Sequence, residues 1–202
     1  MELAEKLPYF TLDDLSAIEK DKNYLKVLLS RYAKAGKVVR LKKGMYVAKN
    51  YIDVIEKNGA IANYGEFLAM VLCEPAYLSL EYVLSENNML TEAPHNYTLV
   101  SLSKTNSFSN RFGNFFYHKI RRELFLGYDI INTSNYLINK ATKAKALFDF
   151  LYFRKNHLSN ENSVAELRLN LDALSAKDIA EFKKYIALDG SKKMKTLSKY
   201  LF

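Results

Sequence analysis

The pattern of hydrophobic and polar positions in the first 50 residues predicts two helices and a β-hairpin. Thr11 precedes a short helix that extends to about Glu19, and Asp14 follows at the spacing of a capping box. Asp21 is placed to cap a second, longer helix that ends at Gly36. The residues that follow predict two short strands around a glycine-containing turn: Val38–Leu41, Lys42–Gly44 and Met45–Val47. Helix, helix and hairpin is the order of a winged helix-turn-helix.

The second helix separates an apolar face from a polar face. Four residues at helical spacing form the apolar face: Leu25, Leu28, Leu29 and Tyr32. The opposite face carries Asn23, Lys26, Val27, Ser30 and Lys34, with Arg31 on its flank and Lys22 at the start of the helix. The hairpin adds Arg40, Lys42 and Lys43 around its turn. A helix that reads the major groove needs one face to anchor it and another with groups that contact bases and phosphates. We therefore predict that these ten residues bind DNA. The structural alternatives are that Arg31 supports the helix against its neighbours and that Lys42 and Lys43 form a solvated turn.

The remaining residues predict a mixture of helices and strands. Helical periodicity extends from residue 51 to Pro75, and Ser79 is predicted to cap a helix over 80–86. Three segments alternate between apolar and polar residues, are rich in β-formers and are predicted to be strands: Tyr97–Leu102, Phe115–Ile120 and Tyr128–Ile131. The polar residues 103–113 are predicted to form the loop between the first two. Helical patterns return from Lys143 to the end of the sequence. We predict an α+β protein with a winged helix-turn-helix over 1–50 and a larger α+β domain over 51–202.

The net charge of +8 is distributed unevenly along the chain. Residues 1–50 carry +5, residues 51–110 carry −5 and residues 111–202 carry +8. Nine cations and no acid occur between Lys22 and Lys49. A solvated surface usually mixes both signs, so this stretch favours a polyanionic partner over a basic surface without one.

Composition excludes several classes of protein. No apolar run approaches the ~20 residues that span a bilayer, and we expect neither a signal peptide nor a membrane partner. One cysteine and three scattered histidines form no disulfide framework and no zinc pattern. A metal-dependent nuclease is a disfavoured alternative, and its candidate metal ligands are Asp149, Glu166 and His157. We expect a cytoplasmic protein that is not an enzyme and has no cofactor.

The residues of the predicted winged helix also resemble a known family, the AbiEi-type antitoxins. The resemblance rests on Phe10-Thr11-x-x-Asp14-Leu15, on Tyr24-Leu25 and on Arg31-Tyr32-x-x-x-Gly36-x-Val38-x-Arg40-Leu41-x-Lys43-Gly44-x-Tyr46. Downstream, the segments Tyr77–Leu84, Phe115–Tyr117, Ala144–Leu151 and the C-terminal helices are similar in pattern and spacing.

This resemblance implies a bacterial antitoxin of a type IV, abortive-infection toxin–antitoxin pair. Its winged helix is then expected to bind inverted repeats in its own promoter and to repress its operon. The C-terminal domain is expected to neutralise a nucleotidyltransferase-like toxin, directly or functionally. The alternative is a stand-alone regulator whose C-terminal domain senses a ligand or a protein.

Overall fold

The chain forms a mixed α+β structure. A computed structural model describes residues 4–17, 19–91, 96–133 and 135–202. Within these ranges the helices are α1 (Leu12–Ser16), α2 (Lys22–Lys34), α3 (Lys49–Lys57), α4 (Ile61–Val71), α5 (Leu80–Glu86), α6 (Lys143–Arg154), α7 (Glu161–Ala165), α8 (Ala176–Asp189) and α9 (Lys192–Leu201). The strands are β1 (Phe10–Thr11), β2 (Val38–Lys42), β3 (Met45–Ala48), β4 (Ala76–Leu78), β5 (Asn96–Ser101), β6 (Asn106–Asn110), β7 (Gly113–Lys119), β8 (Tyr128–Thr133) and β9 (Tyr136–Ala141). None of the described helices is long and apolar enough to cross a bilayer.

The chain divides into two compact units. The first unit comprises Met1–Gly65 and Phe108–Gly113, and the second comprises Glu66–Ser107 and Asn114–Phe202. The first unit therefore extends beyond residue 50 through α3 and into α4, and it also includes a short segment that runs from the last three residues of β6 to the first residue of β7. Sequence patterns predicted the division at residue 50 because the helix–helix–hairpin order ends there.

The first unit contains a three-stranded sheet in the order β1-β3-β2, and both pairings are antiparallel. The helices α1 and α2 pack against each other, and α2 also contacts β2. Phe10 and Leu29 are buried in its core beside Val38 and Tyr46. The predicted capping box is present, since Thr11 accepts from the backbone of Asp14 and the Asp14 carboxylate accepts from the backbone of Thr11. The first helix nevertheless ends at Ser16, three residues before its predicted end at Glu19.

The second unit is organised around a sheet with the strand order β6-β7-β5-β4-β9-β8. The β5–β7 and β4–β9 pairs are parallel, whereas β4–β5 and β8–β9 are antiparallel. Helix α6 packs between α5 and α8, and all eight residues from Ala144 to Leu151 are buried. Ser175 and Asp178 form a capping box at the start of α8, and the Ser191 side chain caps α9.

Several local predictions were wrong. The polar segment 103–113 was predicted as a loop but contains β6, whose sequence Asn-Ser-Phe-Ser-Asn fits an exposed strand at the edge of a sheet. Helix α4 ends at Val71 rather than at Pro75, and β4 follows. Ser79 does precede α5, but its hydroxyl makes no capping bond because it donates to Asp149 of α6. Strands β1, β4 and β9 were not predicted.

Candidate nucleic-acid interface

The helix α2 is held in the first unit by its ends and by one face. The Asp21 carboxylate accepts from the backbone N–H groups of Asn23 and Tyr24 at 2.8 and 3.0 Å, which satisfies two of the donors that a helix start leaves open. Leu25 and Leu29 are buried. At the other end Gly36 adopts a φ of +70°, a conformation that favours glycine, and the chain turns into β2.

The opposite face of α2 is exposed, as the sequence predicted. Every residue predicted there is open to solvent: Asn23, Lys26, Val27, Ser30, Arg31 and Lys34. Among the described residues, no carboxylate forms an ion pair with Lys26, Arg31 or Lys34. We call these six residues the outer face of α2. Their cations are available to an external partner, and no acid of the described chain competes for them.

Lys22 differs from the other cations of α2. Its ammonium lies 2.8 Å from the Asp13 carboxylate of α1, and both side chains are exposed. The hydrogen bond and the charge of Lys22 hold the pKa of Asp13 below its ordinary value. Lys22 is therefore the one predicted cation of α2 that already has an acidic partner among the described residues.

The turn between β2 and β3 brings further predicted residues together. Gly44 adopts a φ of +80° there, Lys43 is exposed, and Arg40 donates from Nε to the carbonyl of Lys42 at 3.4 Å. Lys42 is half-buried, and its ammonium lies 5.9 Å from the centre of the Phe108 ring. A cavity of about 350 Å³ is lined by three of the predicted cations: Lys22, Lys42 and Lys43. The tertiary structure therefore joins cations from two elements that are twenty residues apart.

The segment Phe108–Gly113 of the first unit was not foreseen. Asn110 donates to the carbonyl of Leu41 at 3.2 Å, and Arg111 lies 2.8 Å from the Glu56 carboxylate. Phe112 packs edge-on against Tyr64. These contacts support the β2–β3 hairpin and α3. No local sequence pattern predicts these contacts, because Ser, Asn and Gly around position 110 are typical of any surface loop.

The second unit contains a buried ion pair that the sequence did not reveal. The ammonium of Lys145 lies 2.5 Å from Asp149, and both side chains are fully buried. Tyr77 and Ser79 donate to the other oxygen of Asp149 at 3.0 and 2.8 Å. Burial raises the pKa of Asp149 and lowers the pKa of Lys145, while the charge of each partner opposes these shifts. Of the three candidate ligands of a metal-dependent nuclease, Asp149 is fully buried, whereas His157 and Glu166 are exposed. Within the described ranges no cluster of three or more His, Cys, Asp or Glu side chains could hold a metal ion.

The second unit also has a cleft of about 810 Å³ over β5 and β7. Phe116 and His118 of β7 line it, together with Phe153 and Arg154 of α6. Arg154 forms an ion pair with Glu81 and stacks on Phe150, with 3.9 Å between guanidinium and ring centre. Burial lowers the pKa of His118 from its ordinary value of 6.5. The alternation of β7 places Phe116 and His118 on one face of the strand, but nothing in the sequence predicted the cleft.

Comparison with known proteins adds no assignment. The sequence matches no family model, and a comparison with curated proteins finds no match. The resemblance to AbiEi-type antitoxins stays a prediction, carried by the residues quoted for it above.

Proposed function

We propose that the chain is an antitoxin that represses its own operon and counters a nucleotidyltransferase-like toxin. Its first unit acts as a winged helix-turn-helix, with α2 as the recognition helix and the β2–β3 hairpin as the wing. Its ligand is double-stranded DNA of its own promoter, at inverted repeats. The resemblance of Phe10–Tyr46 to AbiEi-type antitoxins supports a toxin–antitoxin operon and a nucleotidyltransferase-like class of toxin.

The observation that carries DNA binding is the outer face of α2. It is exposed along its length, contains Lys26, Arg31 and Lys34, and has no acid of the described chain paired with these cations. Asn23 and Ser30 offer hydrogen-bonding groups at the same face. Cations neutralise phosphates and set the register on the duplex, whereas hydrogen-bonding and apolar side chains distinguish the base pairs. A helix with both kinds of residue on one exposed face suits the major groove.

The hairpin supports a second contact to the DNA backbone. Lys42 and Lys43 share a cavity with Lys22, although they come from a different element. Asp13 also lines this cavity and pairs with Lys22, so the phosphate contact is assigned to Lys42 and Lys43. A wing beside a recognition helix contacts the backbone or the minor groove.

Gel-shift titrations with the chain's own promoter test the DNA-binding half of the proposal. We expect a sequence-dependent shift that weakens steeply between low and physiological salt, since each neutralised phosphate releases counterions. Lys26→Ala/Lys34→Ala is expected to abolish most of the shift, and Lys57→Ala, an exposed lysine of α3, serves as the matched control. An equal affinity for promoter and unrelated duplexes would refute the proposed repressor.

Co-expression with the toxin of the neighbouring gene tests the other half. The full chain is needed, because the first unit includes Phe108–Gly113 and a cut near residue 60 would remove this segment from it. We expect Lys26→Ala/Lys34→Ala to lose repression but still restore growth. If growth is not restored, the outer face of α2 also takes part in neutralisation and the proposed division of labour is wrong.

A second candidate is a stand-alone regulator with a ligand-sensing second unit. The cleft of about 810 Å³ favours it, since this volume lies within the range of small-molecule sites. A neighbouring gene for a nucleotidyltransferase-like protein favours the antitoxin, and its absence favours the regulator.

A further inference from the structure

Val27 is the apolar member of the outer face of α2. Its side chain is 51% exposed, and it lies one turn from Asn23 and one turn from Arg31 on the same side of the helix. Asn23, Ser30 and Arg31 around it all carry groups that hydrogen-bond. An exposed apolar residue surrounded in this way makes a contact of a different kind from those of its neighbours.

The fold itself does not call for valine at this position. The core face of α2 is formed from the opposite side, where Leu25 and Leu29 are buried. β-branched residues have a lower helix propensity than alanine, so Val27 stabilises α2 less than alanine would. Its two methyl groups therefore add no stability to the fold and are accessible to a ligand.

Resting on the proposed function, we infer that Val27 packs against the C5 methyl group of a thymine in the operator. The thymine methyl is the large apolar group that a base pair presents in the major groove, and small apolar side chains contact it there. Asn23 is the residue type that pairs with the N6 and N7 atoms of adenine. One turn of helix separates Asn23 from Val27 by ~6 Å along the axis, and successive base pairs are ~3.4 Å apart. The contacted adenine and thymine of each half-site therefore lie within about two base steps of each other.

Replacement of thymine by deoxyuridine tests this inference, because it removes the C5 methyl group and leaves the hydrogen-bonding edge intact. Each thymine of the promoter site is replaced in turn, and affinity is measured for the full-length protein and for Val27→Ala. Burial of one methyl group is worth about 0.8 kcal/mol, or about fourfold in affinity. We expect one thymine per half-site at which replacement by deoxyuridine lowers the DNA affinity of the wild-type protein about fourfold. The same replacement is expected to lower the affinity of Val27→Ala less than twofold. Val27→Thr, which keeps one γ-methyl group, is expected to retain most of the sensitivity.

The possible results separate the inference from the proposed function. Sequence-dependent binding without any methyl-sensitive thymine, or with equal sensitivity in the wild type and Val27→Ala, overturns the contact and leaves the repressor standing. Absence of sequence-dependent binding overturns both. Thermal unfolding of Val27→Ala is expected at or above the wild-type temperature, which rules out loss of fold as the cause of any change.

Discussion

The helices α2 and α6 are similar in length and begin with lysine, yet the two use their cations in different ways. In α2 the ammonium and guanidinium groups of Lys26, Arg31 and Lys34 are exposed and have no acidic partner among the described residues. In α6 all three cations pair with an acid: Lys143 with Asp178, Lys145 with Asp149 and Arg154 with Glu81. Helix composition alone does not distinguish a ligand-binding surface from an internal network. The charges that surrounding elements supply make that distinction.

The largest expected effect comes from breaking the buried pair of α6. Asp149→Ala leaves the ammonium of Lys145 without a counter-charge in a fully buried site, and it removes the acceptor of Tyr77 and Ser79. Removal of one partner of a buried pair costs about 3–5 kcal/mol in the free energy of unfolding. Urea titration followed by circular dichroism measures this loss.

The exposed pair of α2 provides the matched comparison. Asp13→Ala removes the partner of Lys22 where solvent screens both charges, so the urea midpoint is expected to stay close to that of the wild type. The double variant Lys145→Met/Asp149→Leu is expected to recover part of the stability that Asp149→Ala loses, because no charge remains buried. Equal midpoints for Asp149→Ala and the wild type would contradict the structural role of the pair.

The next effect in size concerns sequence preference in the first unit. We expect Asn23→Ala to reduce the discrimination between the promoter site and an unrelated duplex by about 1–3 kcal/mol, since a bidentate contact to a base is lost. Asn23 is exposed, and the Asp21 cap bonds only to its backbone, so stability should not change. Competition titrations with both duplexes measure the ratio. An unchanged ratio would assign Asn23 to the solvated surface.

A smaller effect is expected from the turn between β2 and β3. Lys43 is exposed beside Gly44, and its loss should weaken binding to all duplexes alike. The slope of log affinity against log salt concentration is expected to fall by about one for Lys43→Ala, as for one lost phosphate contact. Lys57→Ala of α3 is the control and should keep the wild-type slope. A change in sequence preference for Lys43→Ala would instead indicate a contact to bases.

Local sequence patterns predicted the first unit better than the second, for a physical reason. The caps of α1 and α2, the apolar face with Leu25 and Leu29, and the glycine turns all depend on residues close in sequence. The exposure of the outer face of α2 followed from the same 3.6-residue period. The segment Phe108–Gly113 of the same unit contacts residues more than 40 positions away in the sequence, and hydrophobic periodicity contains no information about such contacts.

In the second unit, pairing between distant segments decides what each residue does. Ser79 has the spacing of a helix cap, but its hydroxyl donates to Asp149 of α6 at 2.8 Å instead of capping α5. Lys145 and Asp149 are four residues apart, which in a sequence is typical of an exposed helix pair, and both are fully buried. The coarse α+β class was predictable from the alternation of helical and strand patterns, while β4, β6 and β9 depend on their neighbours in the sheet.

The smallest predicted effect is a pH dependence that belongs to the second unit alone. Burial lowers the pKa of His118; the Arg154 charge acts in the same direction, and Glu81 opposes it. The unfolded chain then binds this proton more readily than the folded protein does, so stability rises with pH through the range just below 6.5 and falls as the histidine is protonated. Urea midpoints at pH 5 and pH 7.5 are expected to differ less for His118→Gln than for the wild type. Residues 1–65 and 108–113 contain no histidine, so the affinity of His118→Gln for promoter DNA should equal that of the wild type. A DNA affinity that changes with His118→Gln would show that the cleft of the second unit influences the outer face of α2.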